Sequence, residues 1–545
     1  MNTVFKNGHV YTMNREMPYV SAVVVEDNKI VYVGNDEGAK AYEDGAKVID
    51  LAGKMLIPGM IDAHCHPLMS AILTSGLMMD AGMTKEDILT AVREYVAANP
   101  DNETYFGMGY PEWVFDERGP RKEDLDAICP DKPILLISNG VHEAWCNSKT
   151  FELLHMDRNT PDPIPGRSYF RRDENGELTG NVIETVAEQV VMEKLPWFDS
   201  EAITRIYHEI FDMYSALGVT GFVDCGASGD LETKCMEYMT EFEKKGELQQ
   251  RICGCVMVEG PERLKTAVED LKRYHAAHHS DMYNVTTLKI VNDGTLESEN
   301  AAMYEPFMDG ANGEMTVHGP ELVNACLETA AAGFDIHIHG IGDRAIHETL
   351  MAAKAVREAG YFDTRIINAH TQMTAPEDIP LFARYNVLAN TSSIWHYDAP
   401  EAEPALGTWR YHHQFQLQSI LKHGARMTLG SDFPADEMGN EPLKGIQMGV
   451  TRQIFNNPEA PIMESAEEKL TIEQCLGAYT INAAYGMHWD DKIGSIEVGK
   501  YADLVVIEKD LNEVPVHSIQ DTKVLLTLLN GKPTYINEVF SDWEA

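Results

Sequence analysis

Basic residues are scarce in this chain. Lys and Arg total 44 against 86 Asp and Glu, a formal net charge of −42 over 545 residues. That balance argues against nucleic acid or an anionic membrane surface as a partner, because binding phosphate needs clustered Lys and Arg. Solubility is what such an acidic excess supplies. Long apolar runs are missing too, and none reaches the roughly 18–20 residues of a transmembrane helix. Residues 1–10 have no basic stretch followed by an apolar one, so no secretory signal is expected. Cysteine is sparse and scattered: nine residues, with Cys253 and Cys255 the one close pair. Without a signal these read as reduced thiols in a cytoplasmic protein. There is no low-complexity segment and no short repeat. The hydrophobic and charged fractions, 44% and 24%, are those of a globular protein rather than a disordered chain, a collagen or a coiled coil.

What the chain does have is punctuated strands. Residues 4–5 and 10–12 flank Asn7-Gly8, residues 22–25 and 29–33 flank Asp27-Asn28, and residues 524–529 and 533–536 flank Asn530-Gly531. Each pattern reads as a tight hairpin. Residues 47–51 and 504–507 add further strands. Two strand-rich ends around a different middle predict one β-sandwich domain made of residues 1–57 and 490–545. In the middle, apolar runs at 55–61, 134–138, 220–224, 286–291, 334–339, 366–369, 387–389 and 426–430 alternate with stretches of helical period such as 320–332, 345–359 and 471–484. That alternation is the pattern of a parallel sheet, and about eight units predict an α/β fold, a (β/α)8 TIM barrel over residues 58–489. An insertion around 101–200 is too long for one unit, and its Gly- and Pro-rich stretch 161–180 predicts a lid or hairpin.

The densest chemical signal is Asp62-Ala-His64-Cys-His66-Pro67, at the end of an apolar run. Side chains two apart on a strand share a face, so both imidazoles can reach one metal ion. Four later runs end in candidate ligands. Lys289 sits inside a mostly apolar strand, where a bare ammonium is costly. It reads either as a snorkelling surface lysine or as a lysine carbamylated by CO2 that supplies anionic oxygens. His339 closes Ile336-His-Ile-His, with His337 on the same face as a supporting or packing residue. His370 closes Ile366-Ile-Asn-Ala-His, and Asp432 follows Thr428-Leu-Gly-Ser. Each alone has a structural explanation, such as a satisfied buried His or a turn-forming Asp. Together they occupy the strand ends from which barrels draw their catalytic groups.

With these residues in place, the chain resembles the amidohydrolase superfamily. More closely it resembles amidohydrolase family 3, the YtcJ-like branch that includes N-substituted formamide deformylases. The resemblance runs through residues 58–67, 140–148, 178–184, 289–294, 339–345, 369–370, 430–434, 479–484 and 494–503. It implies a metal-dependent hydrolase with His64, His66, Lys289, His339, His370 and Asp432 as metal or catalytic residues, and Lys289 as the bridging ligand. One or two divalent ions are expected, with zinc as the expected metal. The reaction implied is hydrolysis of the C–N bond of a small N-substituted amide, with Asp432 as general base and acid. His142, Trp113 and His396 are the candidate substrate contacts. His396 matches the family's histidine after the seventh strand, whereas Trp395 departs from the Gln-Pro pattern beside it. The rival reading is a mononuclear aminohydrolase acting on a heterocycle, but no Glu follows His339 in Gly340-Ile-Gly-Asp343 to serve a ring. A non-catalytic metal-containing barrel is a rival of another class. A homodimer is expected, as for many such barrels.

Overall fold

The computed structural model describes residues 2–544 except 117, 140–141, 164, 167, 193, 196–199 and 436–440. Gly140 and Val141 of the 140–148 motif, and Ile164 and Arg167 of the 161–180 stretch, therefore lie outside the described residues. The chain divides into two compact units, Met1–Leu68 with Ile210–Ala545, and Met69–Glu209.

The first unit contains an eight-stranded parallel sheet whose strands lie side by side in chain order. They are β1 (Met60–Cys65), β2 (Val219–Asp224), β3 (Arg251–Val258), β4 (Tyr283–Val291), β5 (Asp335–Gly340), β6 (Ile366–His370), β7 (Val387–Thr391) and β8 (Met427–Leu429). Most of their residues are buried, as expected of parallel strands covered on both faces. Helices such as Pro261–Ala277, Gly319–Ala331 and Asp343–Glu358 connect them. The outer strands meet past their C-terminal ends. Asp432 N donates to His64 O at 2.8 Å, and His66 N donates to Phe433 O at 2.7 Å. The result is a TIM barrel.

Two strand assignments change. The run 55–61 is not one strand: it breaks at Pro58-Gly59, leaving Met55–Pro58 in another sheet and Met60–Cys65 in the barrel. Glycine is required at the break, because a Cβ on Gly59 would lie 2.0 Å from Thr220 Oγ1. The run 134–138 is a strand, Ile134–Ser138, but it belongs to the second unit. A short apolar run looks the same in either sheet. The barrel's missing member is β3, whose Gly and two Cys dilute the β-branched signal that marks the others.

The terminal segments form a β-sandwich. A six-stranded sheet has the order Lys532–Ile536, Val524–Leu529, Leu504–Ile507, Met55–Pro58, His9–Tyr11 and Tyr19–Val20. A four-stranded sheet has the order Lys29–Gly34, Ala22–Glu26, Asn2–Lys6 and Lys47–Asp50. Their facing side chains, among them Phe5, Val23, Leu56, Val506 and Leu526, make one core. The hairpins at Asp27-Asn28 and Asn530-Gly531 are present. The one at Asn7-Gly8 is not. Asn7 takes φ 53°, but the strands on either side enter different sheets, so this turn is a corner of the sandwich. Among the described residues, no helix is long and apolar enough to cross a membrane.

A buried ion pair ties barrel to sandwich. Arg251 of β3 donates to Asp503 Oδ2 at 2.6 Å and Oδ1 at 3.1 Å, to Asn530 Oδ1 at 2.6 Å and to Asp281 O at 2.6 Å. Its guanidinium also lies 4.4 Å from the Tyr501 ring. Replacing Arg251 with Met leaves the Asp503 carboxylate buried and unpaired, and is expected to cost about 3–5 kcal/mol in urea unfolding. Replacing both residues by apolar ones of similar volume should recover most of that loss.

The second unit has its own six-stranded sheet, in the order Tyr169–Arg172, Leu178–Ile183, Glu143–Cys146, Ile134–Ser138, Tyr105–Tyr110 and Leu77–Met78. Within it, Tyr169–Arg172 and Leu178–Ile183 form the hairpin expected in the 161–180 stretch. An aromatic cluster of Tyr110, Phe115 and Trp145 fills its core.

Candidate active site

The C-terminal ends of β1, β4, β5 and β6 and the turn after β8 bring six side chains together. His64 Nε2 lies 3.3 Å from Asp432 Oδ1, and His66 Nε2 lies 3.7 Å from the same oxygen. Lys289 Nζ is 3.3 Å from His64 Nε2. The His370 ring is 4.8 Å from that of His64 and 4.5 Å from that of His339, centre to centre. Donor atoms of His64, His370 and Asp432 all fall within 4.8 Å of one another.

Each imidazole is oriented by what its other face meets. His66 Nδ1 donates to Gly226 O at 3.2 Å, and His339 Nδ1 donates to Asp293 Oδ1 at 2.9 Å. Carbonyls and carboxylates only accept, so Nδ1 carries a proton in both rings and Nε2 is the nitrogen left to face a metal. His64 Nδ1 lies 2.9 Å from His337 Nε2. His370 Nδ1 is buried without a hydrogen-bond partner. Burial, with the Lys289 charge nearby, holds His64 and His337 well below the ordinary histidine pKa, and burial does the same for His370. Burial lowers His66 as well, against the pull of the Asp432 carboxylate. These are neutral imidazoles, the form that binds a metal.

The frame beneath the site is a buried carboxylate. Asp62 of β1 accepts from Ser431 N at 2.9 Å, Ser431 Oγ at 2.5 Å, His64 N at 3.3 Å and Tyr214 Oη at 3.3 Å. It pins the turn that carries Asp432. Burial pushes Asp62 up to about 6. Gly430 must be glycine, since a Cβ there would sit 2.6 Å from His64 N. Three residues at the centre, His370, Thr371 and Asp432, have φ of 70°, 41° and 57°. Non-glycine residues in this region store strain and gather at functional sites.

A cavity of about 380 Å3 opens beside Asp432, lined by Thr295, Leu296, Glu297, Ile341, Gln372, Trp395, Tyr397, Gln414, Phe415 and Met463 among others. Trp395 stacks on His370 with ring centres 5.7 Å apart and planes 24° apart. The chain's departure from its family pattern thus forms a wall of the cavity. His396 is turned inward instead, with Nε2 3.2 Å from Thr391 Oγ1 and its ring 4.5 Å from Phe415.

Trp113 and His142 belong to the second unit. Trp113 is 60% exposed in the short helix Glu112–Val114. The His142 side chain is 66% exposed, with Nδ1 3.0 Å from Glu184 Oε2. His142 does not follow a barrel strand, because Ile134–Ser138 lies in the second unit's sheet. Nearby, burial and the charges of Glu184 and Glu143 push Glu188 up to about 8 from an ordinary 4.5. The folded unit therefore holds a proton that the unfolded chain releases. That stability is complete below about pH 4.5 and is lost as pH rises through about 8. Hydrogen exchange in helix Thr185–Met192 should speed up between pH 5 and pH 9 beyond the intrinsic rate, and Glu188→Gln should remove that excess.

The sequence did not point to Asp62 or the Gly226 carbonyl, and it left His337 undecided. The carboxylate nearest Lys289 in sequence is that of Asp293. Its carboxylate is instead taken by His339 and by the amides of Ala302, Ile341 and Gly342.

Residues 47–535 match the amidohydrolase family model. The chain is 30% identical over 441 residues to the exoenzymes regulatory protein AepA of Pectobacterium carotovorum, covering 78% of this chain and 93% of that protein. It is 24% identical over 553 residues to an N-substituted formamide deformylase of Arthrobacter pascens, covering 97% of each. Its fold is shared with an uncharacterized metal-dependent hydrolase from Pyrococcus horikoshii OT3, with a TM-score of 0.76, 20% identity and coverage of 95% and 99%. With a family match that spans the whole barrel and runs into the sandwich at both ends, the chain belongs to the amidohydrolase family.

Proposed function

We propose that this amidohydrolase-family hydrolase cleaves the C–N bond of a small N-substituted amide. The observation that carries the reading is the Asp432 carboxylate, 3.3 Å from His64 Nε2 and 3.7 Å from His66 Nε2, at the edge of a cavity of about 380 Å3. The residues present suit a divalent metal. His66 and His339 offer Nε2 lone pairs, His370 has a buried ring nitrogen with no other partner, and an N/O donor set matches zinc. His64, His66, Lys289, His339, His370 and Asp432 would hold one or two ions. When bound, the metal supplies Lewis acidity, polarising the amide carbonyl and lowering the pKa of water from about 15.7 toward about 7.

The chain's own groups do the rest. Asp432 Oδ takes a proton from the water that attacks the carbonyl carbon and returns it to the departing nitrogen. Leu296, Ile341, Trp395 and Phe415 give the substituent an apolar wall that keeps bulk water from the reacting carbon. Lys289 is 1% exposed and forms no ion pair with a described carboxylate. Its neutral amine adds CO2 and releases a proton, giving a carbamate anion that no longer repels a cation. The N-substituted formamide deformylase relationship supports an amide as substrate.

The test is metal analysis of purified protein, followed by a screen of N-formyl, N-acyl and cyclic amides for amine release and of heterocyclic amines for ammonia release. Turnover of an amide that stops on chelation and returns with metal is the expected result. Ammonia release alone would assign the aminohydrolase reaction. Metal binding without turnover of either class would assign the non-catalytic reading.

A further inference from the structure

One side chain of the cavity wall carries a polar atom that the chemistry above does not use. Gln372 lines the cavity that opens beside Asp432, and the residue is 7% exposed. It lies two residues past His370, which is at most about 7 Å of chain. The left-handed backbone at His370 and Thr371 turns the chain off the end of β6 just before it.

The orientation of the Gln372 amide follows from its neighbours. Gln414 Nε2 donates to Tyr411 O at 3.1 Å. A carbonyl only accepts, so the nitrogen of Gln414 faces Tyr411 and its oxygen faces Gln372. That oxygen accepts from Gln372 Nε2 at 2.8 Å. Gln372 Oε1 therefore points away from Gln414. It meets no donor among the described residues and is not sealed within protein, so it opens on the cavity that Gln372 lines.

The mounting is stiff. Gln372 O accepts from Phe415 N at 2.8 Å, and the next residue donates from Met373 N to Ile341 O at 3.0 Å. Behind them the fully buried Arg452 guanidinium donates to Gln414 O and to Phe415 O, each at 3.2 Å. An acceptor held in this way is placed before any substrate arrives.

The other acceptors of the wall narrow what Gln372 takes. Glu297 is exposed, so water competes for its carboxylate. Thr295 Oγ1 already accepts from Ser298 N at 3.3 Å. Asp432 is engaged in proton transfer. Gln372 Oε1 is a neutral and enclosed acceptor, which suits a neutral N–H. The N–H that every secondary amide brings to this cavity is the one on its scissile nitrogen.

We infer that Gln372 is a specificity-determining residue. Its Oε1 accepts the N–H of the scissile amide and restricts the enzyme to amides R–CO–NH–R′, against N,N-disubstituted amides and esters. The inference rests on the amide-hydrolase reading. Addition of water turns the planar nitrogen pyramidal and leaves it a lone pair. With the N–H held by Gln372, that lone pair is directed away from Oε1 and is free to take the proton that Asp432 returns. A methyl group in place of the hydrogen loses the bond and crowds the oxygen. An ester oxygen fits but sets lone pair against lone pair, and a site built for an N–H rejects the analogue that lacks it.

The experiment compares three matched ligands on the full-length, metal-loaded protein: N-(2-phenylethyl)formamide, its N-methyl derivative and 2-phenylethyl formate. Calorimetry gives Kd in the Asp432→Asn variant, and initial rates give kcat/KM with Asp432 intact. The secondary amide should bind about tenfold or more tighter than either analogue. Amide and ester also differ in carbonyl basicity, so the deciding quantity is the ester-to-amide ratio of Kd, measured with and without Gln372→Met. That substitution keeps the length of the side chain and removes its acceptor. The ratio should fall by about tenfold. A purely structural role would weaken all three ligands alike and leave the ratio unchanged, which would overturn the inference. If Gln372→Met does not fold, the wild type still decides, because equal Kd and kcat/KM for the amide and its N-methyl derivative would overturn it without any variant. Equal turnover of both amides would keep the amide reading and remove Gln372 from it. No binding and no turnover of any amide would discard both.

Discussion

Replacing Asp432 with Asn is expected to lower kcat for amide hydrolysis by about 10^2- to 10^4-fold, the usual worth of a positioned acid–base group. Asn keeps the volume and one oxygen of the side chain but cannot take the proton from water. The turn should survive, because it is held by Asp62 through Ser431 N and Oγ and by the Asp432 amide on His64 O, none of which involves the Asp432 side chain. Metal content measured by mass spectrometry should therefore stay well above that of a His64→Ala/His66→Ala double variant. A metal-loaded Asn variant with kcat near wild type would remove Asp432 from the proton-transfer role.

Lys289→Ala should lose at least one metal equivalent and most activity. Added acetate or propionate should restore part of both by replacing the carbamate oxygens. The reasoning is electrostatic. Lys289 is buried on β4 with its Nζ 3.3 Å from His64 Nε2, and Asp293, the carboxylate nearest in sequence, is occupied by His339 and three backbone amides. A bare ammonium held there costs several kcal/mol and repels any cation on the histidines. Mass spectrometry of the intact wild-type site should find the added CO2. Wild type with one metal per chain, an unmodified Lys289, and an Ala variant of equal metal content would decide for the ammonium.

The barrel and the residues at its mouth were legible because their signals are local. Asp62-Ala-His-Cys-His66 at the end of an apolar strand carries its geometry in its spacing, His339 and His370 stand at strand ends, and Asp432 lies in the turn that follows one. What was not legible depends on long-range partners. Nothing in the order of residues tells that Asp293 serves His339 rather than Lys289, or that Ile134–Ser138 pairs with Glu143–Cys146 instead of joining the barrel. The Asn7-Gly8 turn failed for the same reason: local chemistry specifies a reversal, and only the partner strands decide between hairpin and corner.

The seam where Asp432 N meets His64 O also sets a timetable for synthesis. His64 and His66 leave the ribosome early, yet the strand beside them is made some 367 residues later, roughly 20–70 s at about 5–20 residues per second. During that interval β1 has one unpaired edge, an apolar strand open to wrong pairing. The imidazole pair meanwhile waits without its carboxylate. Ion capture is therefore a late event in the life of the chain, and a translation product cut short before residue 427 carries the histidines but neither the closed barrel nor the acid–base group.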